Sequence, residues 1–504
     1  MMLLQCQSFL HHDSFHSSRM PEFPSSVRRP AALIKASFHR SDAEKRNDKN
    51  RASICTADEL HYVQVEKSEW RVALWRYLPS PQAPSRNHPL MLLSGVGTNA
   101  IGYDLSPESS FARFMSNKGY DTWILELRGA GLSAQDVDFG YDKDPLDSPF
   151  QKKDFYVKDG EYGGHIYTDD RSFSIKRGFS SFLETEKRDN LAGGISDLIE
   201  KLVNIIEGAE RVSPARVFDM HISISTALKD IQKQLDLMAK YNWDFDHYLE
   251  EDVPTAMEYI KDKSKQKDGK LLAIGHSMGG ILLYSMLSRY GYEGKDSGLA
   301  AITTLASSLD YTSSRSSLKL LLPLAKPAQV LNVPVIPIGP LIAAAHPFAA
   351  NPPYILSWLS PEISAPDMMQ PKLFEKLAME NFETVPAKLL LQLATAFHEG
   401  GLRDRSGTFF YKDHLSKSKV PVLAIAGDQD LICPPDAVYV YNDINRAETV
   451  KLIPEPLITY KVLGEPGGPH YAHYDLVGGR WAVDQVYPCI IEFLDRHDAE
   501  ERIS

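Results

Sequence analysis

Gly275-His276-Ser277-Met278-Gly279 is a Gly-x-Ser-x-Gly turn between an apolar run, Lys270 to Ile274, and a helix-forming stretch, Gly280 to Leu287. A strand, such a turn and a helix make a nucleophile elbow, in which the central residue is strained and its neighbours must be small. Gly275 and Gly279 meet that demand. Ser277 Oγ is then held at the carboxyl edge of the strand, where the free N–H groups of the following helix favour negative charge. A chance match in a loop would lack the flanking strand and helix.

A serine hydroxyl is a poor nucleophile until a base takes its proton, and the base needs an orienting carboxylate. Carboxylates follow a later apolar run in Gly427-Asp428-Gln429-Asp430-Leu431-Ile432-Cys433-Pro434. Asp430 is the preferred one, because the Gly427 turn lets it point back towards the sheet edge. Asp428 is expected to cap the loop, and Asp310 is a lesser rival. The base lies in Gly467-Gly468-Pro469-His470-Tyr471-Ala472-His473-Tyr474-Asp475. His473 is favoured over His470 because it immediately precedes the segment leading into the last helix. A metal held by His470, His473 and Asp475 is disfavoured, since no further ligand cluster is visible, and no cofactor is expected. The oxyanion donors should be the backbone N–H groups of Met278, just after the nucleophile, and of Val96, after Ser94-Gly95.

These residues need a scaffold of alternating strands and helices. His61 to Val65 and Arg71 to Tyr77 alternate in polarity and read as an antiparallel pair at a sheet edge. Leu90 to Leu93, Thr122 to Leu127, Ala300 to Ala306, Val420 to Ala426 and Thr459 to Leu463 read as further strands, the continuous apolar ones as strands covered on both faces. Helices are expected from Ser106-Pro107 to about Lys118, through Ala256 to Ile260, and from about Val483 to Arg496. The pattern predicts an α/β fold: a mostly parallel sheet with helices on both faces, its ligands beyond the carboxyl ends of the strands. The core is assigned to residues 60–133, 241–308 and 419–497. Residues 134–240 form an insertion, a long loop followed by two amphipathic helices packed as a hairpin. Residues 309–418 form a second, helical insertion in the position of a cap or lid. Its start is apolar, and Pro323, Pro327, Pro334, Pro337 and Pro340 keep it from being one long helix.

The chain has 504 residues, 43% hydrophobic and 24% charged, enough for a large core. Its net charge of -11 argues against a nucleic-acid binder, which would show a basic face. Four cysteines in no metal-type spacing give no disulfide framework. No apolar stretch is long enough to span a bilayer. Residues 1–41 are Ser- and Arg-rich with only Asp13 and Glu22 as acids. Such composition marks an organellar transit peptide, so residues 1–55 are assigned to a transit peptide and disordered tail. The expected location is the chloroplast, with the cytoplasm as the alternative.

In the order Ser277, Asp430, His473 the chain resembles the α/β-hydrolase superfamily. Arg128-Gly129-Ala130-Gly131-Leu132-Ser133 is similar to that superfamily's Arg-Gly-x-Gly-x-Ser turn. Trp243-Asp244-Phe245 with Asp252-Val253-Pro254 is similar to the stretch before the elbow in the acid lipases. Ser94-Gly95 departs from the usual His-Gly of the oxyanion loop. The whole chain, with Gly97-Thr98-Asn99-Ala100, resembles an uncharacterised group of plant plastid α/β-hydrolases. The resemblance implies a serine hydrolase acting on a small-molecule or lipid ester through an acyl-enzyme. The apolar cap would suit an acyl or isoprenoid chain, or peripheral contact with a membrane, or simply pack its own core. Two alternatives stand beside it. One is an acyltransferase using the same acyl-enzyme; the other is a non-catalytic receptor or scaffold that keeps the fold. Haloperoxidase or lyase chemistry is a minor variant.

Overall fold

The computed structural model describes residues 54–135, 242–264, 268–321, 335–350, 360–439 and 449–498. Eleven strands are formed in chain order: β1 Glu59–Gln64, β2 Trp70–Tyr77, β3 Leu90–Leu93, β4 Thr122–Glu126, β5 Ala134–Gln135, β6 Leu271–His276, β7 Leu299–Leu305, β8 Val335–Ile336, β9 Val385–Pro386, β10 Val422–Gly427 and β11 Ile458–Leu463. Nine of them make one sheet in the spatial order β1-β2-β4-β3-β6-β7-β10-β11, with β5 paired to the start of β2. The alternating β1 and β2 pair antiparallel, as expected, and β2 is antiparallel to β4. From β4 to β11 every neighbouring pair is parallel. The four residues of β3 are fully buried, which is why that strand is a continuous apolar run rather than an alternating one.

The chain leaves β3 for β4 on one side and later returns to β6 on the other, so the strand order reverses between β3 and β6. Loops beyond the carboxyl ends of strands at such a reversal splay apart and leave a crevice. The Ser94–Asn99 segment and the Ser277 turn are the two loops that face each other there.

The longer helices are α1 Phe111–Asn117, α2 Val253–Lys263, α3 Met278–Glu293, α4 Ile338–Ala350, α5 Pro371–Glu380, α6 Ala387–Ala394 and α7 Tyr487–His497. The helix expected from Ser106 starts later, at Phe111. Ser106 instead closes a turn, accepting the Ser109 N–H, and Ser110 caps the helix by accepting the Arg113 N–H at 3.0 Å. The last helix, expected from about Val483, is formed in two pieces, Ala482–Gln485 and then Tyr487–His497, with Pro488 in the first turn of the second, where no N–H is needed. The short strand β5 lies where a loop was expected; two residues are too few to show any periodicity. The rest of the first insertion, where a helical hairpin was expected, lies outside the described residues, as do the N-terminal segment and residues 322–334.

Between β7 and β10 the chain forms α4 to α6 and the small β8–β9 pair, and comes back over the sheet edge. Thr98, in the loop after β3, makes an antiparallel bridge to Phe382. None of the described helices is long and apolar enough to cross a membrane.

The Arg-Gly-x-Gly-x-Ser turn has a partner. Asp252, fully buried, accepts from Arg128 N–H at 3.0 Å, from Nε at 2.9 Å and from Nη2 at 2.6 Å. Burial pushes the Asp252 pKa up, and the Arg128 guanidinium opposes that push. Removing one member of a buried pair strands the other charge, which typically costs about 3–5 kcal/mol. Arg128→Met should therefore lower unfolding free energy by about that amount in urea titration. A loss below about 1 kcal/mol would show that the pair is not held as described.

Candidate active site

The elbow forms because β6 ends against α3 with no room for side chains. Ser277 has φ 55° and ψ -121°, a left-handed conformation that a residue with a Cβ adopts only under constraint. The constraints are visible on both sides. The Ser277 N–H donates to Leu305 O at 2.9 Å, and Ser307 Oγ donates to Ser277 O at 2.8 Å. A Cβ at Gly279 would lie 2.1 Å from Leu93 O, and one at Gly275 would lie 2.4 Å from the Gly279 carbonyl. Both glycines of the motif are thus sites of backbone contact, not merely of flexibility. The Ser277 side chain caps nothing in α3.

His473 and Asp430, each almost fully buried, are joined by a hydrogen bond of 2.9 Å between Nδ1 and Oδ2. The other carboxylate oxygen of Asp430 accepts the N–H groups of Ile432 at 2.9 Å and Cys433 at 2.8 Å. Asp430 is acceptor-only in this setting, so His473 Nδ1 carries the proton and Nε2 is left as the basic nitrogen. Asp430 is therefore the His473 partner among the three carboxylates considered. Asp428 does cap its loop, accepting the Tyr471 N–H at 2.9 Å, but it also takes His470 Nδ1 at 2.5 Å. That second histidine–aspartate pair, half-exposed, removes His470 from contention. Asp310 is held by Lys412 at 2.6 Å. Asp475 binds Ser364 Oγ and the N–H groups of Ala365 and Ala472. His470, His473 and Asp475 thus face three different partners, and among the described residues no group of His, Cys, Asp and Glu is arranged to hold a metal ion.

His276, inside the motif, has a role the spacing did not signal. Its Nε2 lies 2.9 Å from His473 O, and its ring is 4.7 Å from those of His473 and Tyr474. Burial, reinforced by the neighbouring His473, pushes its pKa down to about 3. It is therefore a neutral ring donating Nε2–H to a carbonyl, and it ties the residue before Ser277 to His473. The only advance sign was an ionisable residue inside an otherwise apolar strand end.

Val96 and Met278 sit on the two loops that meet at the strand reversal. Met278 is the first residue of α3, and its N–H is one of the unpaired donors of a helix start. Gly95, just before Val96, abuts the nucleophile: a Cβ there would stand 3.3 Å from Ser277 Cβ and 3.6 Å from its Oγ. The departure from His-Gly costs nothing sterically, because the glycine is kept.

A strained serine against the Gly95 loop, with a buried histidine–carboxylate pair tied to its neighbour His276, is an arrangement suited to acyl transfer. A family model described as the alpha/beta hydrolase fold matches residues 88–475. No curated protein matches the sequence. Among solved structures the chain is similar to a putative lipase from Sulfolobus solfataricus, at 12% identity and a TM-score of 0.43 over 87% of this chain and 99% of that one. It is also similar to a soluble variant of monoglyceride lipase from Saccharomyces cerevisiae, at 12% identity and a TM-score of 0.42 over 88% and 96%. A third is proline iminopeptidase from Mycobacterium smegmatis, at 13% identity and a TM-score of 0.40 over 87% and 99%. The family match runs from just before β3 to just past His473, so it takes in every loop at the strand reversal, and the chain belongs to the α/β-hydrolase fold family.

Proposed function

We propose that this chain is a serine-dependent ester hydrolase with Ser277 as nucleophile, His473 as base and Asp430 as orienting acid. The observation that carries it is the buried His473–Asp430 hydrogen bond, tied to the residue before the strained serine by His276 Nε2 donating to the His473 carbonyl. Ser277 Oγ attacks an acyl carbonyl and gives its proton to His473 Nε2. The tetrahedral oxyanion is received by the N–H groups of Met278 and Val96. His473 then protonates the leaving alcohol, and water releases the acid from Ser277 by the same steps in reverse. Asp430 remains charged throughout, with both oxygens occupied.

The substrate reading is an ester with an apolar acyl part. It is supported by α4, whose Ile338, Leu341 and Ile342 are only partly buried on the segment that reaches the oxyanion loop. The N-terminal composition supports a plastid address. Residues 1–55 fused to a fluorescent reporter should direct it into chloroplasts of a plant cell; a diffuse cytoplasmic signal would refute that address.

Ser277→Ala should abolish fluorophosphonate labelling and reduce hydrolysis of p-nitrophenyl butyrate by about 10⁴-fold or more, since the triad acts as a unit. Labelling that survives the substitution would refute the assignment.

The neutral His276 ring also makes a stability prediction. The unfolded chain takes up a proton there as pH falls below about 6.5, whereas the folded chain does not until about 3. The stability that His276 contributes is present above pH 6.5 and is lost as pH falls through that window. Asp475 works in the opposite sense, because burial raises its pKa to about 6 and its protonated form is favoured on folding. Comparison of variants isolates the first effect: the urea midpoint of His276→Asn should fall less between pH 7 and pH 4 than that of the wild type. Parallel pH profiles would contradict a buried neutral His276.

A further inference from the structure

The orientation of the Val96 N–H needs a cause. In a planar trans peptide the carbonyl and the N–H point in opposite directions, so whatever holds the Gly95 carbonyl aims the Val96 N–H. Thr98 Oγ1 donates to Gly95 O at 2.9 Å. Among the described residues the Val96 N–H itself has no acceptor, which leaves it available to a ligand. Gly95 lies against Ser277, so a rotation of this one peptide would turn the donor away from the reacting atoms.

Thr98 is in turn held by the segment between β7 and β10. Its bridge to Phe382 is flanked by Glu383 N–H donating to Gly97 O at 2.7 Å and Asn99 N–H donating to Asn381 O at 3.1 Å. The Asn99 side chain repeats the contact, reaching Glu380 O at 2.8 Å and Glu383 Oε1 at 2.9 Å. A Cβ at Gly97 would lie 2.5 Å from Val385 Cγ1, so the loop and the overlying segment touch with no gap. Asn381, fully buried, donates from Nδ2 to Tyr474 Oη at 2.7 Å, and the Tyr474 hydroxyl lies beside that of Thr98. Its Oδ1 has no partner, an unfavourable state for a buried amide that leaves donation to Tyr474 as its polar contribution.

We propose that Thr98 is the positioning residue of the oxyanion hole, and that the Asn381–Glu383 segment, by fixing Thr98, makes the hole depend on how the cap is seated. The inference rests on the serine-hydrolase reading. Thr98 does not touch the substrate; it acts through the Gly95–Val96 peptide. The cap therefore has a second role besides covering the site: it completes the site's electrostatics from above, through main-chain hydrogen bonds that any non-proline residues in that segment could make and through one buried asparagine that it could not replace.

The test uses the full chain and p-nitrophenyl butyrate. Thr98→Val, which keeps the shape and removes the hydroxyl, should lower kcat by about 10- to 100-fold with KM changed by no more than about 2-fold. Inhibition by a trifluoromethyl ketone, which forms a tetrahedral oxyanion on the serine, should weaken by a similar factor. Thr98→Ser, which restores the donor, should recover most of kcat. Asn381→Ala, which leaves the loop's own sequence intact, should lower kcat in the same sense, and it decides the matter if Thr98→Val does not fold. A purely structural role would lower the melting temperature while leaving kcat and ketone affinity at wild-type values. That result, or equal losses in Thr98→Val and Thr98→Ser, would overturn the inference while the serine-hydrolase reading stood. A wild-type chain that hydrolyses no ester would overturn both.

Discussion

Ser277 stands at a backbone angle that costs on the order of 1–3 kcal/mol, and the surrounding structure exists largely to keep it there. The strain is balanced by contacts that only a central parallel strand can supply. β6 is held between β3 and β7, and the serine's own N–H and C=O are taken by Leu305 and Ser307 on the β7 side. On the β3 side, Gly279 meets the Leu93 carbonyl directly. Moving either neighbour by a fraction of an ångström would release the turn. The buried, unbroken apolar strands are thus part of the site's machinery, because they keep three strand ends in register at the point where the strand order reverses.

The same register brings Asp430 and His473 together. β10 and β11 are parallel neighbours, so the loops that leave them emerge side by side. Two histidine–aspartate pairs result: Asp430 with His473 inside the protein, Asp428 with His470 at the surface. Two residues on one loop and three on the other separate a buried pair, whose carboxylate is saturated by backbone donors, from a half-exposed one. His276 then joins the base back to the elbow through the His473 carbonyl. The strand end that carries Ser277 is thus linked to the His473–Asp430 pair through the His473 carbonyl.

Much of this was legible in the sequence, for identifiable reasons. Gly275 and Gly279 mark a turn that tolerates no Cβ, and continuous apolar runs such as Leu90 to Leu93 mark strands covered on both faces. The preference for Asp430 over Asp428 and Asp310 rested on the Gly427 turn, that for His473 over His470 on its place before the last helix, and the structure pairs those two. What could not be read depends on distant partners. Thr98 meets Phe382 far along the chain, and no periodicity announces such a bridge. The later start of α1 turned on a choice between Ser106 and Ser110, both adequate caps, which only the folded turn resolves. His276 looked like an incidental residue between glycine and serine because its partner is a carbonyl, which leaves no mark in a sequence.

The central claim is that Ser277 receives the acyl group. Rapid mixing of the wild-type chain with excess p-nitrophenyl acetate, quenched in acid within the first turnover and analysed by peptide mass spectrometry, tests it most directly. If Ser277 is acylated, a burst of p-nitrophenol approaching one equivalent per chain is expected, with the added acetyl mass on the peptide containing Ser277. Turnover without an acyl adduct, or an adduct carried by another residue, would contradict it.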